Sequence, residues 1–120
     1  MFHLRSRGYR LRQGAAGVVL AAIALSGAHH AACAAGKPKV HAVTIEAMRF
    51  SPETIEAAPG DTVIWTNKDP FPHTVTAGTR AFDSGEIAAN RSWKLKVRRK
   101  GDFPYVCTLH PSMKGKLIVK

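Results

Sequence analysis

Cys107, His110 and Met113 stand three residues apart in Cys107-Thr108-Leu109-His110-Pro111-Ser112-Met113, so one short segment offers a thiolate, an imidazole and a thioether. Soft sulfur together with imidazole suits copper, Cu(I) especially, better than magnesium or calcium, which prefer oxygen donors. Two intervening residues at each step are enough to curl the backbone around a single ion. Pro111 stiffens that curl, because its φ is fixed and it has no N–H. A site built from one loop would be loose, so a donor from elsewhere is needed. His73 is the candidate: it follows Pro70-Phe71-Pro72, and the two prolines hold its approach rigid. A donor supplied from a distant segment fixes the geometry before any metal arrives, which keeps rearrangement small when an electron is gained or lost.

The cysteine count points the same way without deciding it. Cys33 and Cys107 are the two cysteines of the chain, and Cys33 falls in a segment expected to be removed. Met1 to Ala35 reads as a secretory signal: Arg5, Arg7, Arg10 and Arg12 form a basic head, Ala15 to Leu25 is uncharged, and Ala32-Cys33-Ala34 offers an Ala-x-Ala cleavage pattern. The apolar run is shorter than the roughly 20 residues a membrane span requires. No Arg-Arg pair suggests the twin-arginine route, so a Sec-type signal and a periplasmic location are expected. Cys107 is then a lone thiol in an oxidising compartment, where cysteines are usually paired. It is an inert core thiol, half of an intermolecular disulfide, or a metal ligand, and His110 and Met113 beside it favour the last.

The elements that must position these side chains lie within residues 36–120, expected to be one domain. Val43–Ala47 and Thr54–Ala57 alternate apolar with polar, the period of a half-buried strand. Pro59-Gly60-Asp61 is a turn signal, and Thr62–Thr66 is β-branched and aromatic, as strands prefer. His73–Thr76 is a further candidate strand. Trp93, Leu95 and Val97 alternate with lysines, Gly101-Asp102 turns the chain into Phe103–Cys107, and Gly115–Lys120 closes it. No stretch carries helical periodicity of useful length. About seven strands with regularly spaced turns predict an all-β antiparallel sandwich. Trp65 and Trp93 are expected in the core with Met48 and Phe50 packed under them, and His41 is expected on the surface without a role.

Charge excludes little and suggests something about partners. Residues 36–120 keep fourteen Lys and Arg against all eight acids, so their net charge is +6 where the whole chain has +10. Such a surface favours acidic partners but is no nucleic-acid signature, since the cations are scattered. Only Arg98-Arg99-Lys100 form a run, and a solvated turn explains it.

Taken together, Asp61-Thr62-Val63-Ile64-Trp65-Thr66-Asn67, Pro72-His73, Gly101-Asp102-Phe103-Pro104-Tyr105-Val106-Cys107 and His110-Pro111-x-Met113-Lys114-Gly115 resemble the cupredoxin family over roughly residues 40 to 120. The short ligand loop is most similar to the amicyanin branch, with plastocyanins and pseudoazurins as relatives. The resemblance implies a Greek-key β-sandwich with one copper ion near one end, held by His73, Cys107, His110 and Met113 as a type 1 (blue) centre. It implies an electron carrier, with no enzymatic activity, passing single electrons between redox proteins such as a dehydrogenase, a cytochrome c or an oxidase. These would dock transiently near the exposed edge of His110, amid Phe71, Leu109 and Pro111; a monomer with no nucleic-acid partner and no stable membrane insertion is expected. Copper buffering, delivery or tolerance would use the same four ligands and is the competing expectation. The sequence departs from the family twice. Thr74 stands where many relatives carry Asn after the first His, leaving its hydroxyl to tie the two ligand segments together. Phe103-Pro104 replaces a more regular strand start, so that strand is expected to begin later or to lie at an edge.

Overall fold

The computed structural model describes residues 36–120. The expected signal segment, with Cys33, lies outside the described residues. Among the described residues no helix forms, and none is long and apolar enough to cross a membrane.

Eight strands make two four-stranded sheets. The first contains β1 (Val40–Glu46), β2 (Arg49–Ser51), β4 (Thr62–Asn67) and β6 (Ser92–Lys96), in the order β2-β1-β4-β6. The second contains β3 (Thr54–Ala57), β5 (Thr76–Ala77), β7 (Gly101–Val106) and β8 (Lys114–Val119), in the order β3-β8-β7-β5. The sheets are mixed, where uniform antiparallel pairing is the expectation: β1 runs parallel to β4 and β3 parallel to β8. The cause is topological. After the β1–β2 hairpin the chain crosses to the second sheet for β3 and returns to the first for β4, so β4 re-enters alongside β1 in the same direction.

The period-2 patterning becomes the core directly. Val63, Trp65 and Asn67 of β4 and Gly115, Leu117 and Val119 of β8 are buried, while alternate residues face outward. Trp65 lies at the centre, fully buried, and its indole Nε1 donates to the Tyr105 hydroxyl of the opposite sheet at 3.2 Å. That burial pushes the Tyr105 phenol up to about 12. Trp93 is only half-buried, because β6 is an edge strand, and it stacks on Trp65 at 5.4 Å between ring centroids. Phe50 is buried against Tyr105, but Met48 is not beneath the tryptophans as expected: it sits at the tip of the β1–β2 hairpin, 38% exposed.

The strand that sequence patterning misses is β2, three residues long and too short to show a period. The candidate strand at His73–Thr76 shrinks to Thr76–Ala77, because the backbone before it is engaged elsewhere. His73 exchanges hydrogen bonds with Ile87, Thr74 N–H points at Cys107 Sγ, and Val75 N–H donates to Ser84 Oγ. Nor does β7 start late. It pairs with β8 from Gly101 onward, and Pro104 sits opposite Lys116, whose own N–H turns away to the Glu53 carbonyl. On its other side β7 meets β5 only at Tyr105 and Val106, so the proline's missing donor falls where the ladder has already ended.

Candidate metal centre

One end of the sandwich gathers the loop after β4 and the loop between β7 and β8. Cys107 follows the last residue of β7 and is fully buried. The loop then closes on itself through three backbone bonds: His110 N–H to the Cys107 carbonyl, Met113 N–H to the His110 carbonyl, and Cys107 N–H to the Met113 carbonyl, at 3.2, 2.9 and 3.1 Å. Three-residue spacing therefore works as a curl, as the sequence suggests. Met113 is buried in this loop and His110 half-buried, while Leu109 (43%) and Phe71 (56%) are exposed, with Pro70, Pro72 and Pro111 exposed beside them.

His73 arrives from the other segment, wholly buried, with Nδ1 3.7 Å from Cys107 Sγ. His110 Nδ1 lies 3.8 Å from the same sulfur, and the two imidazole centroids are 5.0 Å apart. Among the described residues these three are the group whose donor atoms, within 4.8 Å of one another, can hold a metal ion. The donor set fits a soft or borderline ion. Bonds of about 2.3 Å to sulfur and about 2.0 Å to nitrogen would open an angle of about 120° across separations of 3.7 and 3.8 Å. Two imidazoles and a thiolate are also the donor set that copper electron-transfer sites use.

The frame around the donors is made of hydrogen bonds. Thr74 ties the two segments together: its N–H points at Cys107 Sγ at 3.3 Å, and its hydroxyl accepts from Thr108 N–H at 2.8 Å. Asn67, the last residue of β4, donates through its side-chain amide to the carbonyls of Phe71 and Ile87 and accepts from Asp69 N–H.

Asp69 was not singled out by sequence reasoning. It is buried, and its Oδ2 stands 2.8 Å from His73 Nε2. Its oxygens also accept from the N–H groups of Ala47 and Met48 at 2.8 and 3.0 Å. Burial alone would raise this carboxyl, but the bonds from Met48, His73 and Ala47 outweigh it and hold the group below the ordinary carboxylate value. A carboxylate four residues before a candidate ligand histidine was the available signal.

His41 is likewise not the free surface histidine expected. It is half-buried at the opposite end of the sandwich, with Nε2 2.8 Å from Asp61 Oδ2. Arg98, Arg99 and Lys100 form the exposed turn expected of them.

The cupredoxin-like domain family matches residues 16–119 of the chain. Amicyanin-alpha of Methylorubrum extorquens is 30% identical over 83 residues, which are 65% of this chain and 70% of that protein. Amicyanin of Paracoccus versutus is 31% identical over 83 residues, covering 65% of this chain and 63% of the relative. The chloroplastic plastocyanin of Tetradesmus obliquus is 33% identical over 87 residues, covering 62% and 60%. The chain thus spans about two-thirds of the length of these relatives. Among solved structures, a methionine-to-alanine mutant of amicyanin in the Cu(I) form superposes with a TM-score of 0.63 at 28% identity, over 68% of this chain and 82% of that one. A copper-containing nitrite reductase from Thermus scotoductus matches at 24% identity with a TM-score of 0.62, over 67% of this chain but 22% of the enzyme, a likeness of fold alone. The eight-stranded sandwich, its loop donors and these relatives agree: the chain belongs to the cupredoxin family.

Proposed function

We propose that this protein is an exported, periplasmic carrier of single electrons that binds one copper ion through His73, Cys107 and His110, with Met113 as the fourth, weaker ligand. The gathering of three donors, with the Nδ1 atoms of His73 and His110 3.7 and 3.8 Å from the Cys107 sulfur, carries the reading. Copper bound there would supply a Cu(I)/Cu(II) couple. The residues of the chain do the rest. Cys107 and His110 are held by the closed loop, and His73 by Asp69 and the Ile87 bridge. A donor set so fixed changes little between oxidation states, and that lowers the barrier to electron transfer.

The exposed Phe71, Leu109 and surrounding prolines form an apolar rim suited to brief docking by a redox partner, since transient contacts use small patches. The half-buried His110 lies within that rim and offers the shortest way out for the electron. Cys107 is fully buried, which argues against a role as a nucleophile. The same preformed frame favours retention of copper over delivery.

Two measurements test the reading. The Cu(II)-loaded protein should be intensely blue, from charge transfer between the Cys107 thiolate and copper, and should cycle reversibly by one electron. Colourless Cu(II) protein would sink the assignment. Rapid surrender of copper to a competing chelator, without electron exchange with a cytochrome c, would transfer the role to copper delivery.

A further inference from the structure

We propose that Asp69 is the positioning residue of this centre: one buried carboxylate that orients His73, secures the β1–β2 turn beside the site, and by its charge favours the oxidised over the reduced ion. The charge effect rests on the copper reading above; the positioning effect does not.

The carboxylate has three partners from two segments distant in sequence. An ionised carboxylate only accepts hydrogen bonds, so the proton between it and His73 belongs to Nε2. In the neutral imidazole, the form that can bind a metal, the unprotonated nitrogen is then Nδ1, the one that faces Cys107 Sγ. Asp69 therefore selects the tautomer with a lone pair directed at the metal position. Its own N–H is bonded to Asn67 Oδ1 at 2.9 Å, which fixes the aspartate in turn.

The other two partners explain an unusual turn. Glu46 pairs with Arg49, leaving Ala47 and Met48 as a two-residue hairpin loop with φ of 50° and 60°. Positive φ at both positions is the type I′ geometry, which Asn-Gly adopts readily and side chains with a Cβ resist. Here Ala-Met is held in it, and both N–H groups end on Asp69. Met48 at the tip of this turn and Met113 line one open hollow, so the turn that Asp69 holds borders the loop carrying the fourth ligand.

The electrostatic consequence follows from burial. A fixed negative charge bonded to a ligand histidine makes the imidazole a stronger donor and stabilises the higher charge of Cu(II). Salt screens a buried charge weakly, so the effect persists at physiological ionic strength.

The test compares the full-length protein with Asp69→Asn and with a repaired variant carrying Asp69→Asn, Ala47→Asn and Met48→Gly. Asp69→Asn is expected to lower the ratio of Cu(II) to Cu(I) affinity about tenfold, which is about 59 mV for a one-electron couple. In the metal-free protein, ¹⁵N spectra should show His73 as the Nε2–H tautomer, and a mixture of tautomers in the variant. Exchange of the Ala47 and Met48 amides should accelerate at least about tenfold on loss of the carboxylate. The Asn-Gly repair should hold the Glu46–Arg49 pairing that closes the turn, read as slow exchange of the Arg49 amide, while leaving the affinity ratio shifted. A ratio within twofold of the parent, or one that the turn repair restores, would overturn the charge effect. Unchanged His73 tautomers and amide exchange would overturn the positioning effect. Should the parent protein not be blue, the copper reading fails, and the spectra and exchange of the metal-free protein still judge Asp69.

Discussion

The two ends of β4 carry the same device. Asp61, just before the strand, accepts from the N–H groups of Lys39 and Ala58 and stands 2.8 Å from His41 Nε2. Asp69, just after it, accepts from the N–H groups of Ala47 and Met48 and stands 2.8 Å from His73 Nε2. Both aspartates are buried, and each fastens one end of β1. Bonds from Ala58, Lys39 and His41 hold the Asp61 carboxyl far below the ordinary carboxylate value, the same direction as at Asp69. What differs is the far side of the imidazole. His73 turns Nδ1 to a buried thiol on the opposite sheet, whereas His41 is half-exposed and belongs to no metal-binding group among the described residues. A carboxylate–histidine pair is thus a fastening at both places among the described residues, and it adjoins a group able to hold a metal ion only where β7 delivers a sulfur.

The sharpest way to break this comparison is to remove each histidine. His73→Ala should weaken copper binding by more than about a hundredfold, since even loss of an outer partner costs a metal site ten- to a hundredfold. His41→Ala should leave copper affinity within twofold while lowering the unfolding free energy by about 1 kcal/mol. Competition with a chelator and urea unfolding measure the two.

A smaller effect separates stability from metal binding within the site end itself. A Cβ on Gly115 would overlap the Tyr105 ring, which is buried and bonded to Trp65. Gly115→Ala should therefore cost about 1 to 3 kcal/mol as an overpacking change, read as a thermal midpoint lower by at least about 4 °C. If the ligand loop is as self-contained as its backbone bonds imply, the variant keeps its colour.

The smallest effect is on acid stability. Both aspartates have carboxyls held below the unfolded value of about 3.9, so the unfolded state binds more protons in that range. Their stabilisation is complete above that value and is lost as pH falls through and below about 4. Urea midpoints between pH 3 and 6 should drop steeply in the parent and less steeply in Asp61→Asn. Equal slopes would mean that Asp61 does not contribute as its bonds indicate.

The curl that carries Cys107, His110 and Met113 was legible because everything about it is local. Three donors at three-residue intervals, a stiffening proline and a following strand need no knowledge of distant chain, and Cys107 and His110 meet as that spacing requires. His73 was legible through its flanking prolines, and the strands through their period of two. The roles of Asp69 and Asp61 were not, although Asp61 lies in a turn already singled out and Asp69 stands four residues before His73. Their distant partners lie up to 22 residues away, just before β1 and in the turn beyond it, and only the parallel pairing of β1 with β4 brings those N–H groups to them.

Residue order by itself therefore determined which donors are available, which faces of the strands are apolar and where the chain turns, because each depends on neighbours a few residues apart. Folding in three dimensions decided that the sheets are mixed, that Met48 stays outside while Phe50 goes in, and that the stretch after His73 gives its backbone to the site rather than to a ladder. These outcomes depend on which groups compete for the same hydrogen bonds once two distant segments meet, and a linear pattern does not encode that competition.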